Sequence, residues 1–204
     1  MVFAHGGGFY FGGRGELEHG TFEPLVRRGF VVASIDYRTI PAPGCTGGPP
    51  AACVQGIRDA SDDALSAVDF LRTNSARYRI DPTRIAIEGT SAGAIMAMNA
   101  AYSSSEDPAR SVRAAIAMSG AQLVSGTMSP GDAPTLLFNA EDDATVPFEW
   151  AQSTVDRAKA EGLLSILTTW PTGGHEGYLS HLPQVIDESA SFLWWQMDLQ
   201  SAST

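Results

Sequence analysis

The chain has 204 residues, enough for one substantial hydrophobic core and too few for two domains of ordinary size. Its 44% hydrophobic and 18% charged residues are typical of a soluble globular protein and exclude a disordered one. The net charge of -10 disfavours nucleic acid and acidic surfaces as partners, because both would repel the protein, but it is compatible with a neutral small-molecule substrate. No apolar run reaches the ~18 residues of a membrane span, and residues 1–4 do not resemble a signal peptide.

Apolar runs alternate with helical patterns along the chain. This alternation predicts an α/β fold in one domain, residues 1–204, with a mostly parallel sheet covered by helices. A glycine run at residues 6–8 is typical of the turn after a strand, where the backbone approaches a ligand. Later strands are predicted in residues 30–37, 112–120, 133–142 and 163–171, and a turn running into a strand in residues 79–89. Helices are predicted in residues 53–78, 91–102 and 181–197, with loops or a helix in residues 148–162.

The two cysteines, Cys45 and Cys53, flank the loop CTGGPPAAC. Pairing them would contribute about 2–3 kcal/mol on the chain-entropy model, and a loop rich in Gly and Pro has little else to order it. The alternative is two buried free thiols. A metal site is not expected, because nothing nearby supplies further ligands. We predict the disulfide, which would favour an exported protein, while the compartment otherwise stays open.

The pentapeptide Gly-Thr-Ser-Ala-Gly, residues 89–93, lies between a predicted strand and a predicted helix. A G-x-S-x-G elbow requires this context, because a tight turn lifts the serine hydroxyl out of the sheet and small neighbours avoid clashes. The pentapeptide alone is weak evidence, and the alternative is an ordinary Gly/Ser-rich turn. The context favours Ser91 as a nucleophile.

A serine hydroxyl needs a neighbouring base, and a histidine is the usual one. Of the four histidines, His175 follows the last predicted strand, where a loop can reach Ser91. We expect His19 and His181 to be surface residues and His5, within the glycine run, to be structural. The sequence therefore favours His175 as the base.

The base needs an orienting carboxylate, and three acids follow the penultimate strand: Glu141, Asp142 and Asp143. Sites of open α/β sheets collect at the carboxyl ends of strands, although an acidic loop can also be merely solvated. The chain order Ser, Asp, His is the one expected for a fold that carries the G-x-S-x-G elbow. Spacing alone does not separate Asp142 from Asp143.

Four motifs in this order, HGGGF, GTSAG, DDATVP and GGH, resemble the α/β-hydrolases. The closest resemblance is to carboxylesterases of the hormone-sensitive-lipase-like and related bacterial branches, and it covers nearly the whole chain. It implies the α/β-hydrolase fold and a serine esterase with no metal and no cofactor. Ser91 would be the nucleophile and His175 the base, and the family pattern D-x-x-V-P selects Asp143 over Asp142.

The resemblance also implies an oxyanion hole and a reaction. The backbone N–H groups of Gly7, Gly8 and Ala92 would bind the oxyanion, and the substrates would be short-chain carboxylic esters. Alternatives are a feruloyl or acetyl-xylan ester, a polyester or a peptide as substrate, or a non-catalytic binding protein. Candidate walls of a shallow, open pocket are Phe9, Tyr10, Phe148 and Trp170, for each of which core packing is the alternative.

The sequence departs from the family at several places. Members usually carry one or two more strands, and often a cap, before HGGGF; the fold is therefore expected to be shortened at its N-terminus, and a short connection between residues 120 and 133 predicts no large cap. Strand Phe30–Tyr37 would become an exposed apolar edge, which is an association hazard. We expect a partner subunit in a homo-oligomer, the 40–55 loop or a missing N-terminal segment to cover it. Thr90 and Asn139-Ala140 stand where relatives usually have Asp and His-Gly.

Overall fold

The computed structural model describes residues 1–15, 20, 22–41, 45, 51–103, 107, 110–124, 126 and 128–200. Within these residues, six strands form one sheet in which every neighbouring pair is parallel. Their order across the sheet is β2-β1-β3-β4-β5-β6, and the predicted parallel sheet is confirmed. The strands are β1 (Val2–Ala4), β2 (Ala33–Ile35), β3 (Ala86–Thr90), β4 (Ala114–Met118), β5 (Thr135–Ala140) and β6 (Ser165–Trp170).

Helices cover both faces of the sheet, as predicted. They are α1 (Glu23–Arg27), α2 (Ala51–Thr73), α3 (Ser75–Tyr78), α4 (Ala92–Ala101), α5 (Phe148–Ala160), α6 (Gly177–Ser180) and α7 (Leu182–Gln196). One hydrophobic cluster joins α2, α4 and α5 to the sheet, and a second joins α1 and α7 to the opposite face. Strands β3, β4 and β5 are buried throughout, in keeping with their mostly apolar sequences, although β3 also buries Glu88. None of the helices in the described part of the chain is long and apolar enough to cross a membrane.

The helix predicted over residues 53–78 is divided in the structure. Helix α2 ends at Thr73, and the short α3 begins at Ser75. Between them, the side-chain amide of Asn74 donates a hydrogen bond to the carbonyl of Phe70 at 2.8 Å. Asparagine side chains compete in this way for backbone groups that a helix would use, so they weaken a helix interior.

Strand β2 is shorter than predicted. Of Phe30–Tyr37, only Ala33–Ile35 pair with β1, and they lie at the sheet edge as expected. The carbonyl of Arg14 accepts a hydrogen bond from the Ser34 hydroxyl at 3.0 Å, and the Asp36 carboxylate accepts two from Arg14 at 2.7 and 2.6 Å. Charged groups beside an edge strand oppose pairing with another chain. The sequence predicted that a partner subunit, the 40–55 loop or a missing N-terminal segment covers this edge strand, and this stays a prediction. Much of the 40–55 loop lies outside the described residues.

The parallel arrangement decides where the loops of interest meet. The glycine run follows β1, the elbow follows β3, the acidic loop follows β5 and the His175 loop follows β6. All four leave the carboxyl ends of their strands, which lie at one edge of the sheet. The sheet therefore brings together segments that are far apart in the sequence.

Candidate active site

Ser91 occupies a sharp turn between β3 and α4. Its backbone has φ 51° and ψ -116°, a conformation that residues other than glycine rarely adopt. The Ser91 N–H donates to the carbonyl of Met118 at 2.9 Å, and the Ser91 carbonyl accepts the N–H of Ile95, also at 2.9 Å. Bonds to a neighbouring strand and to the following helix thus hold this backbone in place.

Close packing of α4 on β1 sets the elbow beside the glycine run. A Cβ at Gly93 would overlap the backbone carbonyls of Ala4 and His5. Only glycine leaves room for this contact, because any other residue would push the helix away from the strand. The second glycine of the pentapeptide therefore has a packing reason at this position.

The structure brings Ser91, His175 and Asp143 into one chain of hydrogen bonds. The Nε2 atom of His175 lies 2.8 Å from Ser91 Oγ, and its Nδ1 lies 2.8 Å from Asp143 Oδ2. When Nδ1 carries the proton and donates a hydrogen bond to the carboxylate, Nε2 is free to accept a hydrogen bond from the serine hydroxyl. The three side chains can therefore pass a proton from the hydroxyl to the imidazole without rearrangement.

The carboxylate of Asp143 is fixed on both sides. Its side chain is fully buried, and Oδ1 accepts hydrogen bonds from the N–H groups of Thr145 and Val146 at 2.8 and 3.0 Å. Asp142, the neighbour that spacing alone did not exclude, instead accepts the N–H of Gly174 at 2.7 Å through Oδ1. The two acids thus have different partners, and Asp143 is the one that contacts the imidazole.

His5 and His181, the other two histidines that the structure describes, have no such contact. His5 is buried and stacks on Tyr37 with ring centroids 4.4 Å apart, in agreement with a structural role. His181 is half-buried rather than fully exposed, because its ring stacks on Trp170 at 4.3 Å. His19 lies outside the described residues.

The glycine run turns back on itself directly after β1. The carbonyl of Gly7 accepts the N–H groups of Tyr10 and Phe11 at 3.1 and 3.2 Å, with φ 114° at Gly7 and 59° at Gly8. A Cβ at Gly7 would overlap the Phe11 carbonyl, so this turn requires glycine. Gly8 and Ala92 line the cavity at Ser91, and Ala92, at the first turn of α4, has no intrahelical acceptor for its N–H.

A cavity of about 100 Å³ lies next to Ser91. Phe9 and Tyr10 line it, as the sequence suggested, together with apolar residues that sequence reasoning missed: Ile95, Leu123, Val146 and Trp150. Larger cavities of about 380 and 570 Å³ lie elsewhere, and Ser91 lines neither. Cavity volume alone would therefore not have located this site.

Two of the four candidate wall residues do not line this cavity. Trp170 is buried beneath the opposite face and stacks on Phe138, with centroids 6.2 Å apart. Phe148 is half-buried at the start of α5, and Trp150 lines the cavity instead. Residues two apart on a helix point in nearly opposite directions, so the presence of aromatic residues alone could not show which one faces Ser91.

The predicted disulfide between Cys45 and Cys53 is confirmed, with their Cα atoms 5.4 Å apart. Cys53 is buried in α2, whereas Cys45 lines the cavity at Ser91. The bond therefore attaches one wall of the cavity to the helix layer. Among the described residues, no group of three or more His, Cys, Asp or Glu side chains is placed to hold a metal ion.

Two family models and several known structures each match a large part of the chain. The BD-FAE family model matches residues 1–125, and the Abhydrolase_4 model, described as TAP-like protein, matches residues 105–194. Thermogutta terrifontis esterase 2 phosphorylated by paraoxon has a TM-score of 0.74 at 21% identity, covering 95% of this chain and 80% of that one. A truncated form of carbohydrate esterase from gut microbiota has a TM-score of 0.75 at 17% identity, covering 97% and 85%. Likeness at these identities shows the fold alone.

Two curated proteins match about half of the chain. Methylphloroacetophenone synthase of Cladonia uncialis is 29% identical over 110 residues, and the non-reducing polyketide synthase pkbA of Emericella nidulans is 32% identical over 102 residues. These segments make up 54% and 50% of this chain but 4% of each synthase. The chain thus corresponds to a small part of either enzyme.

Proposed function

The chain belongs to the BD-FAE family and has the α/β-hydrolase fold, and from this premise we propose that it is a serine esterase acting on short-chain carboxylic esters. The observation that carries the proposal is the hydrogen-bonded chain from Ser91 Oγ through the His175 imidazole to Asp143, with 2.8 Å at each step. A nucleophile, a base and an orienting carboxylate in contact are what acyl transfer requires.

In the proposed reaction, Ser91 Oγ attacks the ester carbonyl carbon while His175 Nε2 takes the hydroxyl proton. Asp143 stabilises the imidazolium without itself accepting the proton. The imidazolium then protonates the leaving alcohol, and the acyl group stays on Ser91. A water molecule that gives its proton to His175 attacks this acyl-enzyme, and the carboxylic acid leaves as Ser91 regains its proton.

The negative charge that develops on the carbonyl oxygen would be bound by backbone N–H groups of Gly7, Gly8 and Ala92. Support comes from the sharp turn of the glycine run beside the first turn of α4, where N–H groups have no helical acceptors. The positive end of the helix dipole adds to this effect. Loss of one such donor typically lowers kcat by about 10²–10³-fold.

The size of the cavity supports small acyl groups. Its volume is about 100 Å³, against about 380 and 570 Å³ for the two cavities elsewhere in the described structure. Its apolar walls include Ile95, Leu123 and Trp150, which suit a hydrocarbon chain better than a charged one. The alcohol part of the ester would extend out of the cavity.

The proposal is tested by hydrolysis of p-nitrophenyl acetate, butyrate and a long-chain ester. We expect turnover of the two short esters, little of the long one, and a loss of at least about 10³-fold in Ser91→Ala. A fluorophosphonate probe should label wild-type protein and leave Ser91→Ala unlabelled. Equal hydrolysis by both proteins would contradict a role for Ser91. The absence of both turnover and labelling in the wild-type protein would indicate a non-catalytic binding protein.

The same assay decides between acyl substrates. Feruloyl and acetyl-xylan esters, a polyester and an aminoacyl amide are compared with p-nitrophenyl butyrate at equal concentration. Higher kcat/KM on one of these, still abolished in Ser91→Ala, would keep the mechanism and replace the short-chain ester as substrate.

A further inference from the structure

Two side chains that do not belong to the hydrogen-bonded series Ser91, His175 and Asp143 hold the backbone of the loop that carries His175. The first is Ser119, which follows β4 and is 1% exposed. Its hydroxyl donates a hydrogen bond of 2.6 Å to the backbone carbonyl of His175. Ser119 has φ 56°, and its N–H donates to the carbonyl of Phe138 at 2.8 Å, so a strand contact holds it in an unusual conformation.

The second is Asp142, which follows β5. Its carboxylate accepts the N–H of Gly174, the residue before His175, at 2.7 Å. The loop backbone is therefore held on both sides of the imidazole, by Asp142 on the N-terminal side and by Ser119 on the C-terminal side. The two holding residues come from adjacent strands, β4 and β5.

This loop needs such contacts because of its sequence. Gly173 and Gly174 precede His175 with φ of 141° and 59°, and glycines have the largest conformational freedom to lose. The bond from Nδ1 to Asp143 fixes one side of the ring but does not contact the loop backbone. A base that serves both Ser91 and the leaving oxygen must keep Nε2 within about 3 Å of each.

We propose that Ser119 and Asp142 are positioning residues that clamp the His175 loop and thereby fix the imidazole for proton transfer. The inference rests on the proposed function for its kinetic consequence. A misplacement of about 1 Å can lower a rate by about 10²-fold. Neither residue touches Ser91 Oγ or the imidazole in the hydrogen bonds of this site, so each acts through the backbone of the loop.

The kinetic test compares Ser119→Ala and Asp142→Ala with two matched controls. Ser61→Ala removes another buried hydroxyl that donates to a backbone carbonyl, that of Ile57 at 2.7 Å, and Ser61 lines a different cavity from Ser91. Glu141→Ala removes an exposed acid from the same loop as Asp142. We expect the two clamp variants to lose about 10- to 100-fold in kcat with KM within about twofold, and the controls to retain kcat.

Rescue separates positioning from mere loss of structure. Asp142→Asn keeps a side-chain oxygen that can accept the Gly174 N–H, so it should retain most of the kcat that Asp142→Ala loses. If Ser119→Ala does not fold, the comparison of Asp142→Ala with Asp142→Asn still tests the proposal. Unchanged kcat in the clamp variants, or equal losses in clamp and control variants, would overturn the proposal.

A second readout does not depend on hydrolysis. In protein labelled with ¹⁵N-histidine, the Nδ1 proton shared with Asp143 is observed by NMR and assigned by its absence in His175→Ala. We expect this resonance to be broadened by exchange with water in Ser119→Ala and Asp142→Ala, and to be sharp in both control variants. Identical spectra would refute the clamp even in an active enzyme. Altered spectra in a protein without esterase activity would leave the clamp standing and reject the proposed function.

Discussion

At the scale of single residues, a buried carboxyl group lies in the strand that leads to Ser91. Glu88 in β3 is 1% exposed, pairs in register with Phe3 and Ile116, and one of its carboxyl oxygens has no hydrogen-bond partner among the described residues. Desolvation by burial raises the pKa of Glu88 to about 8. The folded protein therefore favours the neutral acid.

This buried acid predicts a dependence of stability on pH. Between pH 4.5, the ordinary pKa of a glutamic acid, and pH 8, the folded state keeps a proton that the unfolded state has lost. The contribution of Glu88 to the free energy of unfolding must then fall as pH rises, by up to about 1.4 kcal/mol per unit. In urea unfolding at pH 5.5, 6.5 and 7.5, the free energy of unfolding of Glu88→Gln should increase relative to that of wild type as pH rises.

Glu23 provides the control for this measurement. It is an exposed glutamate in α1, paired with Arg27 at 3.2 Å, so Glu23→Gln should leave the pH dependence unchanged. Groups common to variant and wild type cancel in the comparison. A difference between Glu88→Gln and wild type that stays constant with pH would contradict a proton held on Glu88.

The adjacent aspartates give a second prediction at this scale. Asp143→Asn should lower kcat by about 10³–10⁴-fold, because an amide cannot hold the imidazole in the tautomer that accepts the Ser91 proton. Asp142→Asn should retain most of the wild-type kcat, since its contact is with the backbone N–H of Gly174 and the amide oxygen can still accept it. Hydrolysis of p-nitrophenyl butyrate by both variants checks this, and equal effects would mean that the division of roles is wrong.

At the scale of elements, the contact between β1 and α4 holds the glycine run against the elbow. This contact exists because Gly93 has no Cβ where the carbonyls of Ala4 and His5 approach. A substitution there would separate the two elements that carry Ser91 and the N–H groups of the glycine run. Stability and activity should therefore fall together.

We predict that Gly93→Ala lowers the free energy of unfolding by at least about 2 kcal/mol through overpacking and also abolishes hydrolysis. Gly162→Ala is the matched control: a Cβ there meets no atom within 4 Å, and only its φ of 75° opposes the change. The control should cost about 1–2 kcal/mol and leave kcat unchanged. Urea unfolding and butyrate hydrolysis measure both, and a fully active Gly93→Ala would show that the close contact is not needed.

At the scale of the whole molecule, one covalent bond joins the cavity wall to the helix layer. The Cys45–Cys53 disulfide closes a loop with a sequence separation of 8. Such a loop contributes about 2–3 kcal/mol on the chain-entropy model. The double substitution Cys45→Ser, Cys53→Ser should lower Tm by about 5–10 °C and raise KM more than it lowers kcat, because Cys45 lines the cavity and does not contact Ser91 Oγ. An unchanged Tm under oxidising conditions would be evidence against a formed bond.

The sequence predicted those elements and residues whose structure depends on near neighbours. The elbow at Ser91 was readable because strand, tight turn and helix follow one another within a few residues. The strands were predicted from their largely apolar runs, and β3, β4 and β5 are indeed buried throughout, as central strands of a parallel sheet are. The position of His175 after the last predicted strand favoured it as the base, and the family resemblance favoured Asp143 over Asp142.

Only the tertiary structure decided which side chains meet. Ser119 contacts a carbonyl 56 residues away, and Asp142 contacts an N–H 32 residues away, so no local pattern predicts either contact. Local sequence likewise did not show that Trp150 lines the cavity. Nor did it show that Arg14 contacts β2, which the apolar composition had predicted to be eight residues long. Local sequence determines backbone preferences, whereas the parallel sheet determines which distant loops share its carboxyl edge, and the chemistry of the candidate site depends on that second step.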